Sequence, residues 1–135
     1  MQKVSVSTRR REELVDITSS VEEVVGKSCI ISGICTLYCP HTTAAITVNE
    51  GADPCVAEDM VAGLKRLIPR DWDFSHLEGN SDAHIKASLM GPSETVIVDG
   101  GRLVLGTWQR IFFCEFDGPR QRTFFIQVQG GEKIG

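Results

Sequence analysis

The sequence predicts a domain of the α+β class, and three observations carry that prediction. Apolar and polar side chains alternate with a two-residue period near the start of the chain, helical periodicity appears only between the early strand-like runs, and the last third consists of strand-like runs divided by Gly and Pro turns. At 135 residues the chain has the length of one compact unit, read as a single domain over 1–135. Apolar residues make up 41 % and charged residues 24 %, which excludes a disordered or fibrous protein and requires a real core.

Each element has its own signal. Lys3 to Thr8 alternates Val4 and Val6 with polar neighbours, and Leu14-Val15-Asp16-Ile17 repeats the strand pattern. Thr18-Ser19-Ser20 offers helix caps, with Glu22 and Glu23 at capping-box spacing from Ser19 and Ser20, and Gly26 is expected to stop this short helix. Cys29 to Tyr38 and Thr42 to Val48 are rich in β-branched and small apolar residues and read as strands, broken at Cys39-Pro40-His41. Asp53-Pro54 is a cap followed by proline at the first helical position. Val56, Met60, Val61, Leu64 and Leu67 then recur at helical spacing until Pro69, a stripe expected to face the core.

Residues 70–80 have no period and read as an ordered loop. Asn80 or Ser81 then caps a helix through Leu89, with Ile85 and Leu89 on its apolar stripe, His84 and Ser88 on another shared face, and Gly91-Pro92 ending it. Glu94 to Asp99, Arg102 to Leu105, Gln109 to Phe116 and Arg122 to Gln129 read as a C-terminal antiparallel meander, turning at Gly100-Gly101 and Asp117-Gly118-Pro119.

Composition narrows the function. Fourteen Lys and Arg against 18 Asp and Glu give a formal charge of -4, without the basic excess that binding to a nucleic-acid backbone uses, so no nucleic-acid partner is expected. No run approaches the roughly 20 apolar residues of a membrane span, and the N-terminus has no signal-like apolar stretch, so no membrane partner and a cytoplasmic location are expected. Five cysteines without a CxxC pair suit buried thiols better than disulfides or a zinc knuckle. GxxxxGK[ST], GxGxxG, GxSxG and HExxH are all missing from the sequence.

The candidates for chemistry are few. His41 opens a strand, His76 sits in the loop and His84 lies in the first turn of a helix, so they either share a metal or act as three separate polar residues. Glu50, at the end of the strand that His41 opens, has no evident structural duty and suits a general base or a partner to a histidine, whereas Asp53 reads as an ordinary helix cap. His76-Leu77-Glu78-Gly79-Asn80-Ser81-Asp82-Ala83-His84 is dense in hydrogen-bonding types, and the helix start within it exposes N–H groups that can receive a phosphate. Gly106-Thr107-Trp108-Gln109 suggests a bulge near a site, with Trp108 itself expected to pack. Arg120 and Arg122 suit a phosphate or carboxylate, against the plainer reading of solvated turn charges. Cys39 is two residues from His41, and a buried thiol is the expected reading over a thiolate–imidazole pair.

Together these segments resemble the YjbQ family, also described as secondary thiamine-phosphate synthases. The resemblance rests on His41-Thr42-Thr43-Ala44-Ala45, Asn49-Glu50, Asp53-Pro54, His76, Asn80 to Gly91, Gly106-Thr107-Trp108-Gln109 and Glu115-Phe116-Asp117-Gly118-Pro119-Arg120 with Arg122, in order over nearly the whole chain. It implies a β-sandwich-like core and a homotrimer. It further implies weak joining of hydroxymethylpyrimidine diphosphate to a thiazole phosphate, with release of pyrophosphate. In the site so implied, His41, His76 and His84 hold a divalent metal, zinc or magnesium. Glu50, with His41 and His84, is catalytic, Asn49, Asn80, Ser88 and Gln109 orient substrate, and Arg120 and Arg122 clamp the anion of a small phosphorylated metabolite. The alternatives are a metal-dependent hydrolase of a small phosphorylated or amide substrate and a non-catalytic metal- or metabolite-binding module.

Overall fold

The structure, a computed structural model, describes residues 1–133. Among them the elements run β1 (Gln2–Ser7), β2 (Glu13–Asp16), α1 (Thr18–Ser28), β3 (Ile30–Tyr38), β4 (Ala44–Glu50), α2 (Pro54–Leu67), α3 (Ser81–Met90), β5 (Ser93–Asp99), β6 (Arg102–Leu103), β7 (Gln109–Glu115) and β8 (Gln121–Lys133). A five-stranded sheet in the order β1-β8-β3-β5-β6 faces a three-stranded sheet in the order β2-β7-β4, and every pairing is antiparallel. This is the expected α+β domain with a sandwiched core. Within the closing strands the meander is confined to the β5–β6 hairpin. β7 enters the small sheet between β2 and β4, and β8 enters the large one between β1 and β3, because each has an apolar face that only a sandwich can bury.

Two-residue alternation divides the chain between two cores. Cys35 and Leu37 of β3, Ile46 of β4, Val96 and Val98 of β5, Ile111 and Phe113 of β7, and Phe124 and Ile126 of β8 meet between the sheets, with Val21 and Val25 of α1 closing one side. Full burial of each large side chain here is worth roughly 1.5–3 kcal/mol. On the other face of the small sheet, Ala45 and Cys114 pack with Phe116 under Leu64 of α2 and Ala83 and Ala87 of α3. The layers are therefore large sheet, core, small sheet and helices.

The helices depart from the simple reading in instructive ways. α1 runs through Gly26 and ends at Cys29, which takes the left-handed conformation at φ 58°. Its start uses no capping box, since Ile17 is the cap and Asp16 Oδ1 accepts from Thr18 N at 2.9 Å. α2 begins as expected, Asp53 Oδ1 accepting from Cys55 N at 2.9 Å, but of its stripe only Leu64 is buried and Leu67 is exposed. α3 is turned over relative to its apolar pattern. Ile85 and Leu89 are 42 % and 63 % exposed, while Asp82, Ala83, Lys86 and Ala87 are buried.

Electrostatics accounts for that rotation. Lys86 Nζ, 1 % exposed, donates to Glu12 Oε1 at 2.6 Å and to Asp82 Oδ2 at 2.7 Å, and Arg11 holds the same Asp82 through both Nη atoms at 3.0 and 3.2 Å. Partners on both sides make burial of these charges tolerable. Burial opposes ionisation of Asp82, but the hydrogen bonds from Arg11 and Lys86 outweigh it and hold its pKa below the ordinary carboxylate range.

Candidate functional site

The inward rows of the sandwich turn polar at one end. On β1 the row Val4, Val6 continues to Thr8, on β7 Ile111, Phe113 continues to Glu115, and on β8 Ile126, Phe124 leads back to Arg122. Side chains two residues apart on a strand share a face, so these three polar groups meet where the next apolar layer would lie. Glu115 is fully buried and bridges the sheets. Arg122 Nε donates to its Oε1 at 2.8 Å and Arg122 Nη2 to its Oε2, Thr8 Oγ1 donates to Oε1 at 2.8 Å, and Asp117 N donates to Oε2 at 3.0 Å. Arg122 Nη2 also donates to Thr43 Oγ1 at 2.8 Å. Burial resists the charge on Glu115, and the bonds from Arg122, Asp117 and Thr8 overcome it, so its pKa lies below the ordinary value.

Outside this buried pair lies a cleft of about 350 Å3, lined by His41, Thr42, Thr43, Asn80, His84, Asp117, Arg120 and Arg122 among others. Arg120 is anchored by the turn it belongs to, with Nε donating to Asp117 O at 2.7 Å and Nη2 to Asp117 Oδ2 at 2.9 Å. Its backbone N donates to Thr8 Oγ1 at 2.8 Å. Asn80 Nδ2 reaches the same Asp117 Oδ2 at 2.9 Å, leaving its Oδ1 buried without a partner among the described residues. Gly118 in this turn permits the close approach, since a Cβ there would lie 2.5 Å from Arg10 O and 2.8 Å from both Thr8 Oγ1 and Glu115 Cγ. Each arginine carries its own carboxylate, so a ligand would be recognised by directed N–H groups rather than by net positive charge.

His41 is fixed in one tautomer. Its Nε2 accepts from Thr123 N at 2.9 Å, which requires an unprotonated Nε2 and leaves the proton on Nδ1. Burial, and then the Arg122 charge, hold its pKa below the ordinary histidine value. The neutral form is therefore favoured in the folded chain. The stability it contributes is complete above about pH 6.5 and is lost as the pH falls through the lowered folded value. Nitrogen-15 correlation spectra at pH 7.5 are expected to show His41 as the Nδ1–H tautomer titrating below 6.5, and an Nε2–H signal would contradict the geometry.

His84 lines the cleft, whereas His76 lies beyond it in a neighbouring depression, the two rings perpendicular with centroids 5.7 Å apart, and His76 Nε2 is 3.6 Å from Glu78 Oε2. The three-imidazole metal site implied by the resemblance does not fit this arrangement. His41 already uses its one free lone pair, two arginines share its cleft, and no group of three or more His, Cys, Asp or Glu side chains among the described residues is placed to hold a metal ion.

The other expected site residues divide by position. His41, His84, Asn80, Arg120 and Arg122 come together, whereas Asn49, Glu50 and Gln109 do not join them in the protomer. β4 carries Ala44 opposite Glu115 and Glu50 opposite Gln109, so the latter pair sits at the other end of the strand, about 20 Å away at ~3.3 Å per residue. There Glu50 has a structural duty after all, Oε2 accepting from Ala52 N at 2.6 Å and Asp53 N at 3.1 Å ahead of α2. Asn49 Oδ1 accepts from Glu50 N, and Gln109 Oε1 closes a turn, not a bulge, by accepting from Gly106 N. Trp108 in that turn is exposed rather than packed, and Ser88 is exposed one turn beyond His84. Cys39 is a buried thiol whose pKa burial raises.

Thr8, Thr43, Glu115 and Asp117 were not expected as site residues. The sequence does carry a signal for Thr8, Glu115 and Arg122, because each stands as a polar residue at one end of an otherwise apolar inward row.

A two-sheet antiparallel α+β domain with a histidine- and arginine-lined cleft at one end of its sandwich defines the class of protein. The family description "UPF0047 protein YjbQ-like" matches residues 2–131, and the chain belongs to that family. It is 54 % identical over 128 residues to a UPF0047 protein of Methanocaldococcus jannaschii, covering 95 % of this chain and 93 % of that one. It is 49 % identical to YugU of Bacillus subtilis, covering 94 % and 97 %. A crystal structure of a YjbQ/UPF0047-family protein from Clostridium acetobutylicum superposes with a TM-score of 0.94 at 46 % identity, over 96 % of this chain and all of that one. No helix among the described residues is long and apolar enough to cross a membrane.

Proposed function

We propose that the cleft is a catalytic site for a small phosphorylated metabolite and that it carries out a slow thiamine-phosphate synthase reaction. One observation carries the reading: Arg120 and Arg122, each held by a carboxylate, line the same small cleft as His41 and His84. The ring nitrogen of a thiazole phosphate attacks the methylene carbon of hydroxymethylpyrimidine diphosphate, the C–N bond forms as the C–O bond breaks, and the electron pair leaves on pyrophosphate. Arginine N–H groups facing the leaving oxygens stabilise the charge that develops there. His84, whose imidazole makes no hydrogen bond among the described residues, gives a proton to the departing pyrophosphate oxygen. His41 Nδ1–H orients a phosphate oxygen, and Asn80 Oδ1 accepts a hydrogen bond from the substrate.

The same reading includes a homotrimer. Ile85, Leu89 and Leu67 on the helical layer and Ile34, Tyr38 and Ile97 on the open face of the large sheet are exposed apolar surface of the kind that self-association covers.

The test is turnover of the paired precursors by the purified chain, followed as pyrophosphate and thiamine phosphate. His84→Ala and Arg120→Ala are each expected to lower kcat at least tenfold. Unchanged turnover in both would remove the assignment, and precursor binding with no turnover would make the protein a binding module. Glu50→Ala is the control for a second copy, since only a neighbouring chain can bring Glu50 to this cleft. A solution mass near 14.8 kDa, that of one chain, would exclude the trimer.

A further inference from the structure

We infer that Glu115 is a positioning residue that sets the ligand-facing edge of Arg122, a role that rests on reading the cleft as a phosphate site. Glu115 is fully buried and does not line the cleft, so it acts on a ligand only through its neighbours. Its two oxygens take Nε and Nη2 of Arg122, and Thr43 Oγ1 takes Nη2 as well. Among the described residues nothing accepts from Nη1, so its N–H groups are what Arg122 has to offer a phosphate oxygen. The same carboxylate also accepts from Thr8 Oγ1, which in turn accepts from Arg120 N, so one buried group fixes both arginines.

A guanidinium held on one edge by a bidentate carboxylate keeps its other edge in a single orientation, and an anion then binds without the entropy of ordering a free arginine. Charge and positioning predict opposite signs. Glu115 is an anion close to an anion site, so by Coulomb's law alone its neutralisation would tighten phosphate binding. Glu115→Gln instead turns an amide N–H₂ toward Nε or Nη2 of Arg122, donors that only an acceptor can satisfy, and releases the arginine edge.

Calorimetric titration of the full chain with inorganic pyrophosphate separates the two. Glu115→Gln is expected to weaken binding about tenfold, and Glu115→Asp, which keeps the charge, to recover part of that loss. Wild-type protein that does not bind pyrophosphate removes the phosphate reading and this role with it. Wild-type protein that binds, with Glu115→Gln binding equally or more tightly, removes the positioning role alone. If Glu115→Gln does not fold, Thr8→Val takes its place, with a threefold loss expected and no loss counting against the role.

Discussion

Arg122→Ala is expected to lower stability by about 3–5 kcal/mol at pH 7 and to abolish phosphate binding, the largest effect of any single change at the cleft. The substitution leaves Glu115 ionised inside the sandwich with only the Thr8 hydroxyl and the Asp117 N–H facing it. Its pKa, depressed in the wild type, then rises because burial acts without the guanidinium. The sign of the pH dependence follows. In the wild type the stability from Glu115 is complete above the unfolded value of about 4.3 and is lost as the pH falls through the lower folded value. In Arg122→Ala the relation inverts, with the penalty greatest at neutral pH and shrinking as Glu115 gains a proton. Urea unfolding at pH 7 and pH 4.5 measures both, and a penalty independent of pH would mean that the ion pair is not what the mutation breaks.

Lys86→Ala is expected to lower stability by about 3 kcal/mol, with no direct effect at the cleft. Glu12 and Asp82 lose the cation between them and face each other across a cavity the size of a lysine stem. Arg11 still holds Asp82 bidentately, which keeps the loss at the lower end of the range for a broken buried pair. Lys86→Met combined with Glu12→Gln removes both the cavity and one uncompensated charge, and it is expected to regain at least half of the loss in urea midpoint. A Lys86→Ala chain as stable as the wild type would show that the network contributes nothing net.

Local signals led to the elements, because strand alternation and helix caps are short-range properties. Asp53-Pro54 opens α2 where the cap chemistry requires, and Val4, Val6, Phe124 and Ile126 lie inward as their spacing demands. The same logic misled at α3, where Ile85 and Leu89 have helical spacing but face outward. The tertiary partners of Asp82 and Lys86 are Arg11 and Glu12, more than 70 residues distant, and no local pattern contains them. Glu50 does not reach the cleft within the protomer for a related reason: its strand was read correctly, but only pairing with β7 reveals which end of β4 meets the cleft.

The sequence by itself determined the α+β class, most strand and helix positions, the family resemblance and five of the residues that line the cleft, since all of these rest on residue type and near-neighbour spacing. Tertiary structure alone decided that β7 and β8 enter opposite sheets. It also decided that Glu115 and Thr8 fix the arginines, that His41 is committed to Thr123, and that Glu50 stands apart. Those outcomes depend on which strands pair and on where buried charges find partners, and both are set by contacts between segments far apart in the chain.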